Sequence, residues 1–346
     1  MSRFFCQMPR WAAAVVGLAL MVSSSADAGQ PSTAVISDPA YATPQALVDI
    51  DHGRRLNLYC IGTGAPTVVF DAGLANWSQI WGLVQPVVAK TTRACAYDRA
   101  GLGFSDPPTR PGSSANIVDD LHRLLTAAAI APPYVLVGHS YGGMNVRLYA
   151  SMYRNDVAGL VLDDSSHEEW TARWLVTHPD QRIEMATDDA DAVKTAKDCL
   201  AAARIGMVPG TAIFARCATS TSNSRYVDAI SAVYGRLQQE PGFLQARMWE
   251  EHAFDYDSPP QLLMARRPYG DLPMVVLTHA QSDTESGLPD DEGGDLAVQL
   301  HGELAALSTR GVQRVVPHAG HDIHFDQPQA VIDAILEVVG VARQSK

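Results

Sequence analysis

The chain has 346 residues, a formal net charge of −12, 47% hydrophobic residues and 18% charged ones. That balance excludes a disordered chain, and the length excludes a mini-protein held together by disulfides alone. An acidic chain without a Lys/Arg-rich run also argues against a nucleic-acid partner, since neutralising phosphates takes clustered cations.

At the N-terminus, Arg3 and Arg10 precede an apolar run from Trp11 to Val22. That run is shorter than the roughly 20 residues a bilayer span needs. Ala26-Asp27-Ala28 then offers small residues at the two positions a signal peptidase reads. Residues 1–28 therefore read as a cleaved secretory signal. The mature protein is expected to be exported, periplasmic or secreted, with no stable membrane anchor. Cys6 leaves with the signal. Cys60, Cys95, Cys199 and Cys217 remain, and an even count in an oxidising compartment favours disulfides over free thiols, with three pairings open.

Residues 29–45 hold Pro, Ser, Thr and Ala without periodicity and are expected to form a flexible leader. From Leu47 to Cys60 the alternation about Asp51-His52-Gly53 predicts a β-hairpin. Thr67 to Phe70 is an unbroken apolar run, as suits a strand covered on both faces. A helical stretch interrupted near Pro86 follows from Asn76 to Lys90, then a strand at Ala94 to Tyr97. A helix capped by Ser113 or Ser114 carries Ile117, Leu121, Leu124, Leu125 and Ala128 at helical spacing. Tyr134 to Val137 reads as a strand, Ser140 to Met152 as a helix and Gly159 to Leu162 as a strand. This alternation implies a mostly parallel α/β sheet. The rhythm breaks over residues 165–270, where the pattern is helical with no buried strand. It resumes at Met274 to Leu277, with a helix from about Asp295 to Leu307, a strand at Val315-Val316 and a last helix from Pro328 to about Val341. The expected organisation is a core over 46–164 and 271–346, interrupted by a helical cap over 165–270.

Gly138-His139-Ser140-Tyr141-Gly142 is the sharpest local signal. G-x-S-x-G alone is weak, but here a strand precedes it and a helix follows, the setting of a nucleophile elbow. With it stand Phe70-Asp71-Ala72-Gly73-Leu74 after one strand, Asp98-Arg99-Ala100-Gly101-Leu102-Gly103-Phe104-Ser105-Asp106 after another, and Gly320-His321 ahead of Pro328. In these motifs the chain resembles the α/β-hydrolase-fold superfamily, in the manner of capped serine esterases, from about Leu47 to Val341. The resemblance implies Ser140 as nucleophile, His321 as general base, and the backbone amides of Tyr141 and Leu74 as oxyanion donors. The superfamily's usual His-Gly before the second donor is Ala72-Gly73 here.

Two aspartates compete for the catalytic acid. Asp164 ends the Gly159–Leu162 strand, and Asp283 lies in the acidic loop after the Met274–Leu277 strand, where most of the superfamily carries it. Both fit the chain order Ser, Asp, His. Asp164 is favoured, because the loop around Asp283 reads as a solvated surface; Asp163 is expected to face the opposite side of its strand. His318 and His324 flank His321 and read as satisfied loop histidines, so no metal and no cofactor is expected. The fold's usual strand order sets Cys60 beside Cys95, and Cys199 with Cys217 would close a loop in the cap. Trp170, Trp174, Phe243, Met248, Trp249, Phe254 and Tyr256 suggest a small-molecule substrate with an apolar or aromatic portion. The expected activity is hydrolysis of a carboxylic ester or related acyl bond. Lactone, amide and carbon–carbon hydrolysis, and a non-catalytic ligand-binding protein on the same fold, stand as alternatives.

Overall fold

The computed structural model describes residues 31–217, 224–280 and 290–344. Eight strands form one sheet: β1 (Ala46–Asp51), β2 (Arg54–Ile61), β3 (Thr67–Asp71), β4 (Ala94–Tyr97), β5 (Tyr134–His139), β6 (Val157–Asp163), β7 (Met274–His279) and β8 (Gly311–Val316), in the order β1-β2-β4-β3-β5-β6-β7-β8. The first hairpin is antiparallel, β2 is antiparallel to β4, and every pairing from β4 to β8 is parallel. This is an α/β-hydrolase fold. The signal expected over 1–28 and Asp283 lie outside the described residues.

Between the strands run α1 (Gln85–Val88), α2 (Ser114–Ala127) and α3 (Tyr141–Met152). After β6 come α4 (Trp170–Thr177), α5 (Arg182–Ile205), α6 (Ala212–Cys217), α7 (Asp228–Leu237), α8 (Pro241–His252) and α9 (Ser258–Ala265), with no sheet strand among the described residues between β6 and β7. The chain ends with α10 (Asp290–Ala305), α11 (Ile323–Asp326) and α12 (Pro328–Gln344). The helical stretch near Pro86 is two pieces, a 3₁₀ turn over Ser78–Leu83 and the short α1. The helix expected from about Asp295 starts at Asp290.

The central strands are apolar throughout because both faces are covered. Along β5, Tyr134 and Leu136 pack into the layer that holds α2 and α3, while Val135 and Val137 pack into the layer that holds α12. A third cluster joins Trp77 and Leu102 of the core loops to Leu200, Leu237, Phe243 and Leu244 of the segment after β6. That segment also completes a core helix. Ser113 sits at the N-cap of α2 but makes no side-chain cap bond. The Ser114 and Ala115 amides instead donate to Ser258 Oγ (2.9 Å) and Gln261 Oε1 (2.8 Å) of α9, so the free donors of the first turn find partners from across the fold.

The described part of the 29–45 leader is packed, contrary to the flexible segment expected. Ile36 is 1% exposed and Tyr41 4%. The Ile36 amide donates to the Arg225 carbonyl, and the Ile36 carbonyl accepts from Val227. Two isolated apolar side chains, one in a 3₁₀ turn over Pro39–Ala42, are enough to anchor the segment, and they leave no periodicity to read. Both disulfides are present, Cys60–Cys95 across the β2/β4 pair and Cys199–Cys217 between α5 and α6.

Candidate active site

Ser140 lies between β5 and α3 with φ +50° and ψ −118°, a strained backbone that lifts a side chain out at the sheet's edge. Its neighbours have no room for a Cβ: one on Gly138 would run into the Gly142 carbonyl, and one on Gly142 into the Asp71 carbonyl. The turn is held by the Ser140 amide, which donates to the Asp163 carbonyl (3.2 Å), and by the Ser140 carbonyl, which accepts from Gly143 (2.9 Å) and Ser166 (3.0 Å). Ser140 Oγ lies 3.3 Å from Ser166 Oγ. The loop after β3 presses on the same spot. A Cβ on Gly73 would come within 2.7 Å of His139 Nδ1 and 3.3 Å of Ser140 Cβ, so Gly73 and Leu74 pass directly against the elbow.

Asp164 follows β6 and also has positive φ (+46°). Its Oδ2 accepts from His321 Nδ1 at 2.6 Å and from His279 Nδ1 at 2.7 Å, and its Oδ1 accepts the His279 amide at 3.0 Å. Burial works against the charged carboxylate. The hydrogen bonds from His279 and His321 more than offset it and hold Asp164 well below the usual carboxylate range. His301 of α10 stands behind, its Nδ1 4.0 Å from Asp164 Oδ1, bonded to Thr278 Oγ1 (2.9 Å) and to the Ser165 carbonyl (2.8 Å). Burial lowers its pKa and keeps it neutral.

Asp163 does face the other side of β6. Its Oδ2 accepts from His324 Nδ1 at 2.8 Å, with both side chains fully buried. His324 is therefore not a loop histidine satisfied at the surface: its Nε2 is buried and has no hydrogen-bond partner. His139 packs between His321 and His324, with ring centroids 4.7 Å and 4.5 Å away, and its Nε2 meets the His321 carbonyl at 3.1 Å.

Sequence reading missed three contributors. His279 ends β7, the strand after which most of the superfamily carries the acid. Arg99 and Glu250 are the other two, paired with each other. All five Arg99 N–H groups are used: on Asp71 Oδ1, the Ala72 and Gly73 carbonyls, and both Glu250 oxygens, at 2.7–2.9 Å. Glu250 also accepts the Ala75 amide at 2.9 Å. This buried ion pair ties the 71–75 loop to α8. Its signal was a charged residue inside an otherwise apolar helix face.

The aromatic residues expected to line a pocket divide. Trp174 stacks on His178 and donates to Gln181, and Phe243 packs edge-on to Trp77, so both serve the segment's own packing. Phe254 meets the Tyr141 ring edge-on, next to the elbow. Tyr256 is 54% exposed and stacks on His252. Trp170, Met248 and Trp249 are half-buried.

A family model for the alpha/beta hydrolase fold matches residues 66–206. Among solved structures, the chain is similar to a thermophilic esterase from Thermogutta terrifontis (TM-score 0.57, 19% identity, covering 87% of this chain and 99% of that one). It is also similar to a structure described as a putative epoxide hydrolase from Pseudomonas aeruginosa (TM-score 0.62, 18% identity, covering 87% and 96%). Among curated proteins it is 35% identical to YqjL of Bacillus subtilis over 103 residues, which is 30% of this chain and 41% of YqjL. The chain spans less than half the length of the curated relatives it matches. With the strand order, the elbow and the matched family model in agreement, the chain adopts the α/β-hydrolase fold.

Proposed function

We propose that the protein is an exported serine hydrolase that cleaves a carboxylic ester or related acyl bond. Ser140 attacks the carbonyl, and His321 takes its proton and later returns it to the leaving group. Asp164 holds the His321 ring in one tautomer and stabilises the imidazolium. The amides of Tyr141 and Leu74 receive the oxyanion, and one such donor is worth roughly 10²–10³ in turnover. Arg99 serves this step indirectly, by binding the carbonyls of Ala72 and Gly73 and so fixing the direction of the loop that carries Leu74.

The observation that carries the reading is the 2.6 Å contact between His321 Nδ1 and Asp164 Oδ2, on the edge where Ser140 stands in its strained turn. A hydroxyl at that position disfavours ring opening through a carboxylate nucleophile. The two disulfides support export, since such bonds persist in oxidising compartments. Phe254 beside Tyr141 supports an acyl or alcohol portion that is apolar or aromatic. The test is labelling with a fluorophosphonate. Wild-type protein should label and Ser140→Ala should not, and folded wild type that fails to label would favour a ligand-binding role instead. A series of p-nitrophenyl esters of rising acyl length then defines the substrate class.

A further inference from the structure

Three buried polar atoms without partners gather behind the elbow: His139 Nδ1, His324 Nε2 and Asp163 Oδ1. Leaving such atoms unpaired is costly, and native proteins rarely do so without a reason. Next to one of them, His324 Nε2, stands a carboxylate that reaches solvent. Asp322 Oδ1 lies 3.6 Å from His139 Nε2 and 4.0 Å from His324 Nε2, with its side chain 50% exposed against 2% and 0% for the two histidines.

We propose that His139, His324 and Asp322 form a binding site for a divalent metal ion of the zinc type. One ligand atom from each lies within 4.8 Å of the others. Tetrahedral zinc with bonds near 2.0–2.1 Å sets its ligands about 3.4 Å apart, so the side chains need only small rotations. The two histidine rings pack edge to face, with centroids 4.5 Å apart and an interplanar angle of 66°. Asp163 supplies what a ligating histidine ordinarily has behind it: its carboxylate accepts the Nδ1 proton of His324 and leaves the Nε2 lone pair free for a metal. The carboxylates of Asp163, Asp164 and Asp322 make the surroundings attractive to a cation. Asp322 offers the way in from solvent. Two other groups have comparable spacing, Asp164–His279–His321 and His167–Glu169–Glu303. In the first, Asp164 Oδ2 already accepts two imidazole protons, and in the second Glu303 is engaged by Arg173.

Binding would reach the chemistry through one bond. His139 Nε2 now meets the His321 carbonyl at 3.1 Å. To ligate through Nε2, His139 moves its ring proton to Nδ1 and releases that carbonyl, which loosens the segment carrying His321. The metal is thus expected to inhibit. This consequence rests on the serine-hydrolase reading, whereas the binding does not.

The test uses the full mature chain, free of any affinity tag and stripped with chelator, titrated with zinc chloride by calorimetry. One equivalent should bind, with a zinc X-ray absorption spectrum of nitrogen and oxygen ligands containing two imidazoles. Asp322→Asn, a change at an exposed position, should weaken binding at least tenfold, and His324→Gln should abolish it. Zinc should slow p-nitrophenyl ester hydrolysis, reversibly with chelator, and that ratio should approach one in Asp322→Asn. Absence of binding, or binding that survives both substitutions, overturns the site. Zinc binding to a protein with no esterase activity leaves the site standing and defeats the hydrolase reading instead.

Discussion

Asp163 and Asp164 are consecutive residues at the end of one strand, and each accepts a hydrogen bond from a histidine of the same segment, His324 and His321. Their surroundings divide them. His324 and Asp163 are both fully buried, whereas the His321 side chain is 38% exposed over a buried Asp164. Asp164 has two imidazole hydrogen bonds and one from a backbone amide, and stays ionised. Asp163 has one, and burial outweighs it, so its pKa is pushed up. The pairing chemistry is the same on both sides of the strand. Access and the number of donors distinguish the pair we propose for turnover from the pair held in the interior.

If that division is right, the two aspartates fail differently. Asp164→Asn should leave folding intact by circular dichroism and lower kcat by about 10⁴-fold, because an amide cannot hold the proper histidine tautomer. A loss below tenfold would move the catalytic acid elsewhere, with Asp283 as the remaining candidate. Asp163→Ala should do the reverse. It strands the His324 Nδ1 donor in the interior at about 1–3 kcal/mol, read as a lower urea midpoint, with kcat changed by less than an order of magnitude. Equal kinetic losses in both variants would erase the distinction.

His279 sharpens the comparison, since only Asp164 has a second imidazole. Its ring bond to an ionised carboxylate is worth about 1.5–3 kcal/mol, or roughly 10–100-fold if felt in the transition state. His279→Ala should lower kcat within that range and leave KM unchanged, while His279→Asn, which keeps a side-chain N–H at a similar reach, should restore most of it. A rise in KM of the same size as the loss in kcat would mean that His279 touches substrate rather than positioning Asp164.

The parts of this site that were legible in the sequence are those defined by short segments. Ser140, His321 and Asp164 each follow a strand, and strand ends can be read from runs of apolar residues. The Gly138 and Gly142 spacing announces a backbone crossing that no side chain tolerates. The Cys60–Cys95 pairing followed from the resemblance and its usual strand order. What stayed hidden depends on residues far apart in the chain. His279 and Asp164 are separated by 115 positions and Arg99 and Glu250 by 151, and nothing local marks either partner. The spacing of His324 from His321 marks a loop histidine but says nothing about its burial. Ile36 and Tyr41 bind the leader through isolated contacts, and periodicity cannot register a contact that occurs once.

The smallest expected effect separates the two aspartates by sign. The folded-state pKa of Asp164 lies below its unfolded value of about 3.9, so its contribution to stability is complete above that pH and is lost as the pH falls toward the folded value. The folded-state pKa of Asp163 lies above the same reference, so its ionised form opposes folding near neutrality, and protonation on acidification relieves that opposition. Urea denaturation from pH 6 down to pH 3 should therefore show a shallower acid loss of stability in Asp164→Asn than in wild type. Asp163→Asn should show a steeper one. Two slopes displaced in the same direction would mean that the buried pair and the exposed pair respond to protons alike, and exposure would no longer account for their different roles.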